Sequence, residues 1–457
     1  MLYEKYLNTV DELAEEICGI SDAIWDNPET AFGEYEASRL ISENLEKHGF
    51  TVVRNVADIP TAFTATYGSG KPHFGILAEY DGLSGMSQVG FCAEKKTIPG
   101  QDKAHGCGHN LFGAGSMGAA LAVKSYIEQT GKGSVTLFGC PAEENGAGKV
   151  YLVKAGIFKD IDAVVSWHPE KMYMVRTRPA LANVMVNYSF EGLAAHAGAA
   201  YNGRSALDAV ELMNVGANFL REHMELSCRV HYAILDAGGY APNQVQSHAV
   251  VQYLIRAVDA EAVRELHARV DRIAQGAALM TDTTVSSTIV SAYSNLITIP
   301  TLQAVANEAM HDVPLPVPTE EDIAYGKALQ ATMVLTKQQQ AQPMYADKVL
   351  DPAPPVPHGG STDTADVSWN CPTVQMHIGN WVVGTPGHSW QSVSQSRSPY
   401  GKRSMLYAAK AVAGTILRLM NDPESLKKAR QEFEEKTVGG YICGLPDDVK
   451  PKIQPRP

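Results

Sequence analysis

The segment Ala104-His105-Gly106-Cys107-Gly108-His109-Asn110 is the densest concentration of chemistry-bearing side chains in the chain. Cys107 and His109 offer a thiolate and an imidazole two residues apart, and Gly106 and Gly108 let the backbone bend so that both can point at one ion. Either residue alone reads as a buried Cys or a surface His; the pair with its glycines points to metal. Asn110 is positioned to cap the helix that follows. A second feature is Pro141-Ala142-Glu143-Glu144-Asn145-Gly146. Adjacent carboxylates leaving a strand point in different directions, so one can bind a metal while its neighbour holds the attacking water. A Glu-Glu pair is commonly a solvated turn, but this one follows an apolar strand. Trp167-His168-Pro169 and Thr385-Pro386-Gly387-His388-Ser389 add two histidines in apolar or Gly/Pro-rich settings, where a lone His is commonly a hydrogen-bonded packing residue. Together Cys107, His109, Glu144, His168 and His388 make a mixed N, O and S donor set that suits zinc or manganese. Five donors exceed what one tetrahedral ion needs, and two divalent ions sharing a bridging ligand use them all.

The need for the ions follows from a pKa gap. A carboxylate with a pKa of about 4 cannot usefully deprotonate bulk water at about 15.7, a difference on the order of 16 kcal/mol. Binding to a divalent metal lowers the water to about 7, which leaves about 4 kcal/mol. Glu143 can then act as base and return the proton to the leaving amine.

These residues need a rigid frame. Phe74 to Tyr80, Ser134 to Cys140 and Ala163 to Trp167 read as buried strands, each followed by polar or Gly-rich sequence and then a helix, which is an α/β pattern. Ligands in such sheets sit beyond the carboxyl ends of the strands, where Asp81, Glu143 with Glu144, and His168 fall. From about Asn183 the character changes. An alternating stretch Val184 to Phe190, a helix Ser205 to His223 with Ala206, Val210, Met213, Ala217 and Leu220 on one face, a strand Ala249 to Ala257 and a helix Ala260 to Met280 read as an inserted second domain. The division is 1–182 and 298–457 for the first domain, and 183–297 for the insertion. After Ile297 the helical pattern resumes, and Asp351 to Gly360, with four prolines and two glycines, reads as a rigid loop. The tail after Leu445 reads as exposed.

With 457 residues the chain is too long for one ordinary core. A formal charge of -12 without a Lys/Arg cluster argues against nucleic acid. Met1 to Ile20 carries acidic residues among its apolar ones and reads as an amphipathic helix rather than a signal peptide, and no apolar run is long enough for a membrane span. Seven scattered cysteines suit a reducing cytoplasm. Gly113-Ala114-Gly115-Ser116-Met117-Gly118 fits a dinucleotide fingerprint, yet it follows the polar cluster rather than a strand, and close helix packing explains its small residues better. There is no G-x-S-x-G serine elbow.

Seven segments in order carry a family resemblance: Ala78 to Leu83, His105 to Asn110, Pro141 to Gly148, Trp167 to Pro169, Ala195-His196-Ala197, Gly360 to Asp363, and Gly384 to Trp390. On them the chain resembles the M20 metallopeptidases, and among these the amidohydrolases and aminoacylases. The resemblance implies a zinc-peptidase-like catalytic α/β domain with an inserted, smaller α+β lid that also serves for dimerisation. It implies that Cys107, His109, Glu144, His168 and His388 are the metal ligands, with Cys107 in the bridging position. It also implies that Glu143 is the base and that Asp81 orients a ligand. His196, in the lid, would stabilise the oxyanion in a partner subunit's site. Asn243 and Arg256 stand 13 residues apart, the spacing at which glutamate-releasing relatives hold the substrate carboxylate. Asn110 stands where relatives carry aspartate, and Gly82 and Ser84 where they carry Ala and Pro. The implied substrate is an N-acyl amino acid, p-aminobenzoyl-glutamate or another aromatic acyl group on an acidic residue, with a dipeptidase or general aminoacylase as the alternative. A homodimer, or a heteromer with a homologous subunit, is the implied assembly.

Overall fold

The computed structural model describes residues 2–353 and 360–456. The interior of the loop expected from Asp351 to Gly360 therefore lies outside the described residues.

The catalytic frame is an eight-stranded sheet. Its strands in chain order are β1 (Thr51–Arg54), β2 (Phe63–Gly68), β3 (His73–Glu79), β4 (Ser134–Cys140), β5 (Ala163–Glu170) and β6 (Tyr173–Val175), with β11 (Val349–Leu350) and β12 (Thr373–Gly379) entering after the insertion. The spatial order is β1-β2-β4-β3-β5-β12-β6-β11. The four central strands β4, β3, β5 and β12 are parallel, so their carboxyl ends share one edge. Strands covered on both faces read as near-continuous apolar runs, and β4 is buried at every residue. Phe74, Ile76 and Leu77 of β3 are fully buried, each contributing about 1.5–3 kcal/mol. Helix α1 (His109–Thr130) packs against this sheet and against α5 (Pro399–Met420). A Cβ on Gly113 would come within 2.9 Å of the Glu79 carbonyl oxygen, and one on Gly115 within 2.7 Å of the Trp167 ring. The Gly-rich stretch is thus a close packing face.

A second sheet, β8-β9-β7-β10, is formed by β7 (Ala182–Glu191), β8 (Arg229–Asp236), β9 (His248–Ala257) and β10 (Thr284–Tyr293). Helices α3 (Ala206–Leu220) and α4 (Ala260–Thr281) cover one face, and Val184, Val186, Tyr188 and Phe190 pack there with Val210, Met213, Leu266 and Val270 in a separate core. All five residues expected on the inner face of α3 are buried.

Three details differ from expectation. β5 continues to Glu170, so His168 lies within the strand rather than beyond it. The N-terminal helix is broken at Asn8 and Leu13 into three pieces, with Leu7, Val10 and Ile17 facing the core; neither break carries Gly or Pro, so the sequence reads as continuous. Asn110 is not a cap: the helix starts on His109 with Gly108 as N-cap, and the Asn110 amide donates to the Ser21 and Ser396 carbonyls at 3.4 and 2.9 Å. The C-terminal tail after Leu445 is largely exposed, as expected, and is held through Gln454, which donates to the Ala31 carbonyl at 2.7 Å and accepts from the Tyr35 hydroxyl at 2.7 Å. No helix among the described residues is long and apolar enough to cross a membrane.

Candidate metal centre and active-site cleft

Every candidate ligand arrives at the shared edge of the parallel strands. β3 ends at Glu79 and leads to Asp81. β4 ends at Cys140, and the chain turns through Ala142 (φ 61°) before Glu143 and Glu144. Gly108, at φ 76°, swings the chain so that Cys107 lies just before α1 and His109 in its first turn. His388 sits at φ 52°. A left-handed residue other than glycine costs about 1–2 kcal/mol, and such strain persists where the surroundings over-determine it, often at functional sites.

Cys107 Sγ lies 3.4 Å from His168 Nε2, and His388 Nε2 lies 3.3 Å from a Glu144 carboxylate oxygen. Potential ligand atoms of Cys107, His109 and His168 all fall within 4.8 Å of one another, as do those of Cys107, Glu144 and His388. The structure thus brings all five candidate donors together as two sets that share Cys107. Glu143, with Glu79 and His109, forms a third such group beside them.

Tautomers can be read from the partners. His168 Nδ1 is 2.8 Å from the Pro169 carbonyl, which can only accept, so the proton is on Nδ1 and the Nε2 lone pair faces Cys107. Asp81 accepts from His109 Nδ1 at 2.8 Å, and its other oxygen accepts the Glu144 N–H at 2.9 Å. One carboxylate therefore orients an imidazole and anchors the backbone of Glu144.

The electrostatics fit a cation. Burial, with Glu79 and Glu144 nearby, pushes Glu143 well above the usual carboxylate range, and burial holds Glu144 at about 7. Burial and Glu144 push the Cys107 thiol up. Burial disfavours charge on His109, while Cys107 and Asp81 act against it and raise its pKa. Glu144 Oε1 is buried without a hydrogen-bond partner among the described residues, an uncommon state that coordination would resolve, and His109 Nε2 faces a Glu79 carboxylate oxygen at 3.2 Å. The donors open onto a cleft of about 470 Å³, lined by Cys107, Glu143, Glu144, His168 and His388 on one side.

Residues 76–389 match the model of peptidase family M20/M25/M40. The chain belongs to this family. Over 456 residues it is 41% identical to a chain of the p-aminobenzoyl-glutamate hydrolase of Escherichia coli (strain K12), named as one subunit of that enzyme, covering 94% of this chain and 95% of the relative. It is 28% identical to the Xaa-Arg dipeptidase of Mus musculus over 445 residues, 95% of this chain and 93% of that one. The Bacillus subtilis YXEP protein, described as a dinuclear metal-binding peptidase of family M20, shares the fold with a TM-score of 0.56 at 17% identity, covering 88% of this chain and 98% of that one. As a family member, the chain is a hydrolase of amide or peptide bonds.

The remaining candidates of this M20 hydrolase are dispersed. Arg256, near the carboxyl end of β9, donates to Ser361 Oγ at 3.3 Å, and Ser361 lines the cleft. His196 and Asn243 are exposed at the opposite end of the second sheet, where the Ala197 N–H donates to the Asn243 carbonyl at 2.9 Å. Arg256 pairs with Asn183 and His248 with Glu191, so the two ends of β9 are about 26 Å apart at roughly 3.3 Å per residue. Within one chain, Asn243 and Arg256 do not meet.

Three positioning groups carry no reading from the sequence. Lys149, on α2 (Gly148–Lys154), has its Nζ 2.6 Å from Glu79 and 2.6 Å from Asp363, with all three side chains at most 1% exposed. A lysine on a helix normally reads as solvated, and only its partners explain its burial. Glu34 accepts from the Ala142 N–H at 2.9 Å and the Thr61 hydroxyl at 3.1 Å, fixing the turn before Glu143. The Tyr293 hydroxyl donates to the Glu143 carbonyl at 3.1 Å.

Asp81→Asn tests the orienting carboxylate. It keeps the shape but loses the charge, and metal affinity measured by chelator competition is expected to fall about 10- to 100-fold. An unchanged affinity removes Asp81 from the metal centre.

Proposed function

We propose that this M20 hydrolase uses two divalent ions, zinc or manganese, to cleave the amide bond of an N-acyl amino acid, with p-aminobenzoyl-glutamate as the leading substrate. The observation that carries the reading is the pair of three-donor sets sharing Cys107, with Glu143 beside them in an open cleft. The relative named as part of a p-aminobenzoyl-glutamate hydrolase supports the substrate. The Xaa-Arg dipeptidase relative supports the second reading, a dipeptidase or general aminoacylase on the same centre.

Cys107, His109, Glu144, His168 and His388 would hold the ions. Bound there, the ions supply Lewis acidity, polarising the scissile carbonyl and acidifying water. Glu143 takes the proton of the attacking water on its carboxylate and delivers it to the departing nitrogen. Asp81 keeps His109 in its working tautomer. Arg256 takes a substrate carboxylate through its planar fork.

His196 and Asn243, exposed and distant from their own cleft, serve the neighbouring site of a homodimer or of a heteromer with a homologous subunit. There the partner subunit's His196 donates to the developing oxyanion. In this reading 183–297 is the lid and dimerisation domain, and 1–182 with 298–457 is the catalytic domain. The seven free thiols fit a reducing cytoplasm.

Elemental analysis of the purified protein after loading with zinc or manganese tests the metal centre. Two ions per chain are expected, with activity lost on chelation and restored on reloading. A stoichiometry of one overturns the dinuclear reading.

A further inference from the structure

Away from the metal ligands the cleft wall is cationic. Lys171, Arg176 and Arg178 line it together with a single carboxylate, Glu170. Lys171 Nζ lies 3.8 Å from Glu170 Oε2, so that carboxylate already has a cation beside it. Arg176 donates through Nη1 to Gln375 Oε1 at 2.7 Å and through Nε to the Arg178 carbonyl at 3.4 Å. Both acceptors are neutral. They aim the guanidinium, which makes no ion-pair contact with a carboxylate among the described residues, although the charge of Glu170 acts on it. Arg178 is exposed, and its side chain makes no hydrogen bond or ion pair with any described residue.

Arginine is the side chain best matched to a carboxylate, because two parallel N–H groups meet two oxygens. Three cations against a single carboxylate leave this wall with a net positive charge suited to an anionic group. Glu143 and Arg176 line the same cleft of about 470 Å³. A group held at the base and a group held at the wall can therefore belong to one small molecule. Arg256 reaches the cleft rim through Ser361 and accounts for one substrate carboxylate. The wall offers a place for another.

We propose that Arg178, supported by Arg176, binds the side-chain carboxylate of the amino acid to be released, so that the site selects N-acyl amino acids whose amino-acid part is dicarboxylic. The inference rests on the reading of the cleft as that of an N-acyl amino acid hydrolase. It deepens that reading by assigning the choice of amino acid to a wall outside the metal centre and apart from Arg256.

Isothermal titration of metal-loaded Glu143→Ala protein with p-aminobenzoyl-glutamate and with p-aminobenzoyl-glutamine tests it, because the two ligands differ only in the side-chain charge. The glutamate compound is expected to bind about 10- to 100-fold more tightly, the range for hydrogen bonds to a charged group. Adding Arg178→Ala is expected to bring the ratio to within about threefold, chiefly through lost affinity for the glutamate compound. Equal binding of the two ligands, no measurable binding of either, or a ratio that Arg178→Ala does not alter overturns the proposal. Selective binding of the glutamate compound combined with no turnover by the unmutated protein instead sinks the hydrolysis of that substrate and leaves the wall's role standing. Turnover with no charge preference does the reverse.

Discussion

Replacing Glu143 by alanine lowers kcat on an amide substrate by roughly 10²- to 10⁴-fold, the span of a lost general acid-base group, while the protein keeps its full complement of two ions. No neighbour can take over. Glu144 faces His388 within the donor set, and Glu79 is held by Lys149. The measurement pairs steady-state kinetics with metal analysis on the same sample. Because Glu143 also lies near His109 and Glu79, the two readouts separate its possible roles. Lost turnover with retained metal marks a base, and lost metal marks a ligand. Activity within tenfold of the parent contradicts both.

The second large effect is on stability. Lys149→Met is expected to lower the unfolding free energy by about 3–5 kcal/mol, because removing one partner of a buried ion network leaves the others uncompensated. Glu79 and Asp363 are then left buried together without their shared cation. Burial, with Glu79 beside it, already offsets part of what Lys149 gains for Asp363, whose pKa stands above the ordinary value; proton uptake by one carboxylate limits the loss. Lys47→Met is the control. Its ion pair with Glu16 is 3.3 Å long and its side chain 73% exposed, so a change within about 1 kcal/mol is expected. Urea unfolding of both variants checks the contrast, and a Lys149 variant as stable as the control removes the network from the account.

Much of the frame is legible in the sequence because burial writes itself into apolar runs. β3 and β4 are covered on both faces, and their boundaries are visible to within a residue. β7 alternates, and α3 shows its inner stripe. What escapes the sequence lacks that signature. β8 is apolar yet exposed along most of its length, and β10 is rich in Ser and Thr with little buried surface, so neither shows an alternation of faces. β12 is as long as β3 and nearly as buried, but Thr373, Gln375 and His377 interrupt its apolar run.

The site divides the same way. Cys107 and His109 are close in sequence, and their glycines betray a bend. Glu144, His168 and His388 are far apart in the chain and become a set only through the strand edge that gathers them. Lys149 shows no periodicity or motif, since its burial depends on Glu79 and Asp363, which lie 70 residues before it and 214 after it. The placement of His196 away from its own cleft follows from the register of the second sheet, which no local pattern encodes. Asn110 reads as a cap by residue type, whereas its amide is taken up by carbonyls from two other segments.

The central claim is a dinuclear amidohydrolase of N-acyl amino acids, and glutamate release from p-aminobenzoyl-glutamate by the purified, zinc- or manganese-loaded chain tests it most directly. The account predicts release that stops on chelation, returns on reloading and is absent in Glu143→Ala. No release from this substrate, or from a panel of N-acyl amino acids and dipeptides, by protein carrying two ions per chain would contradict it.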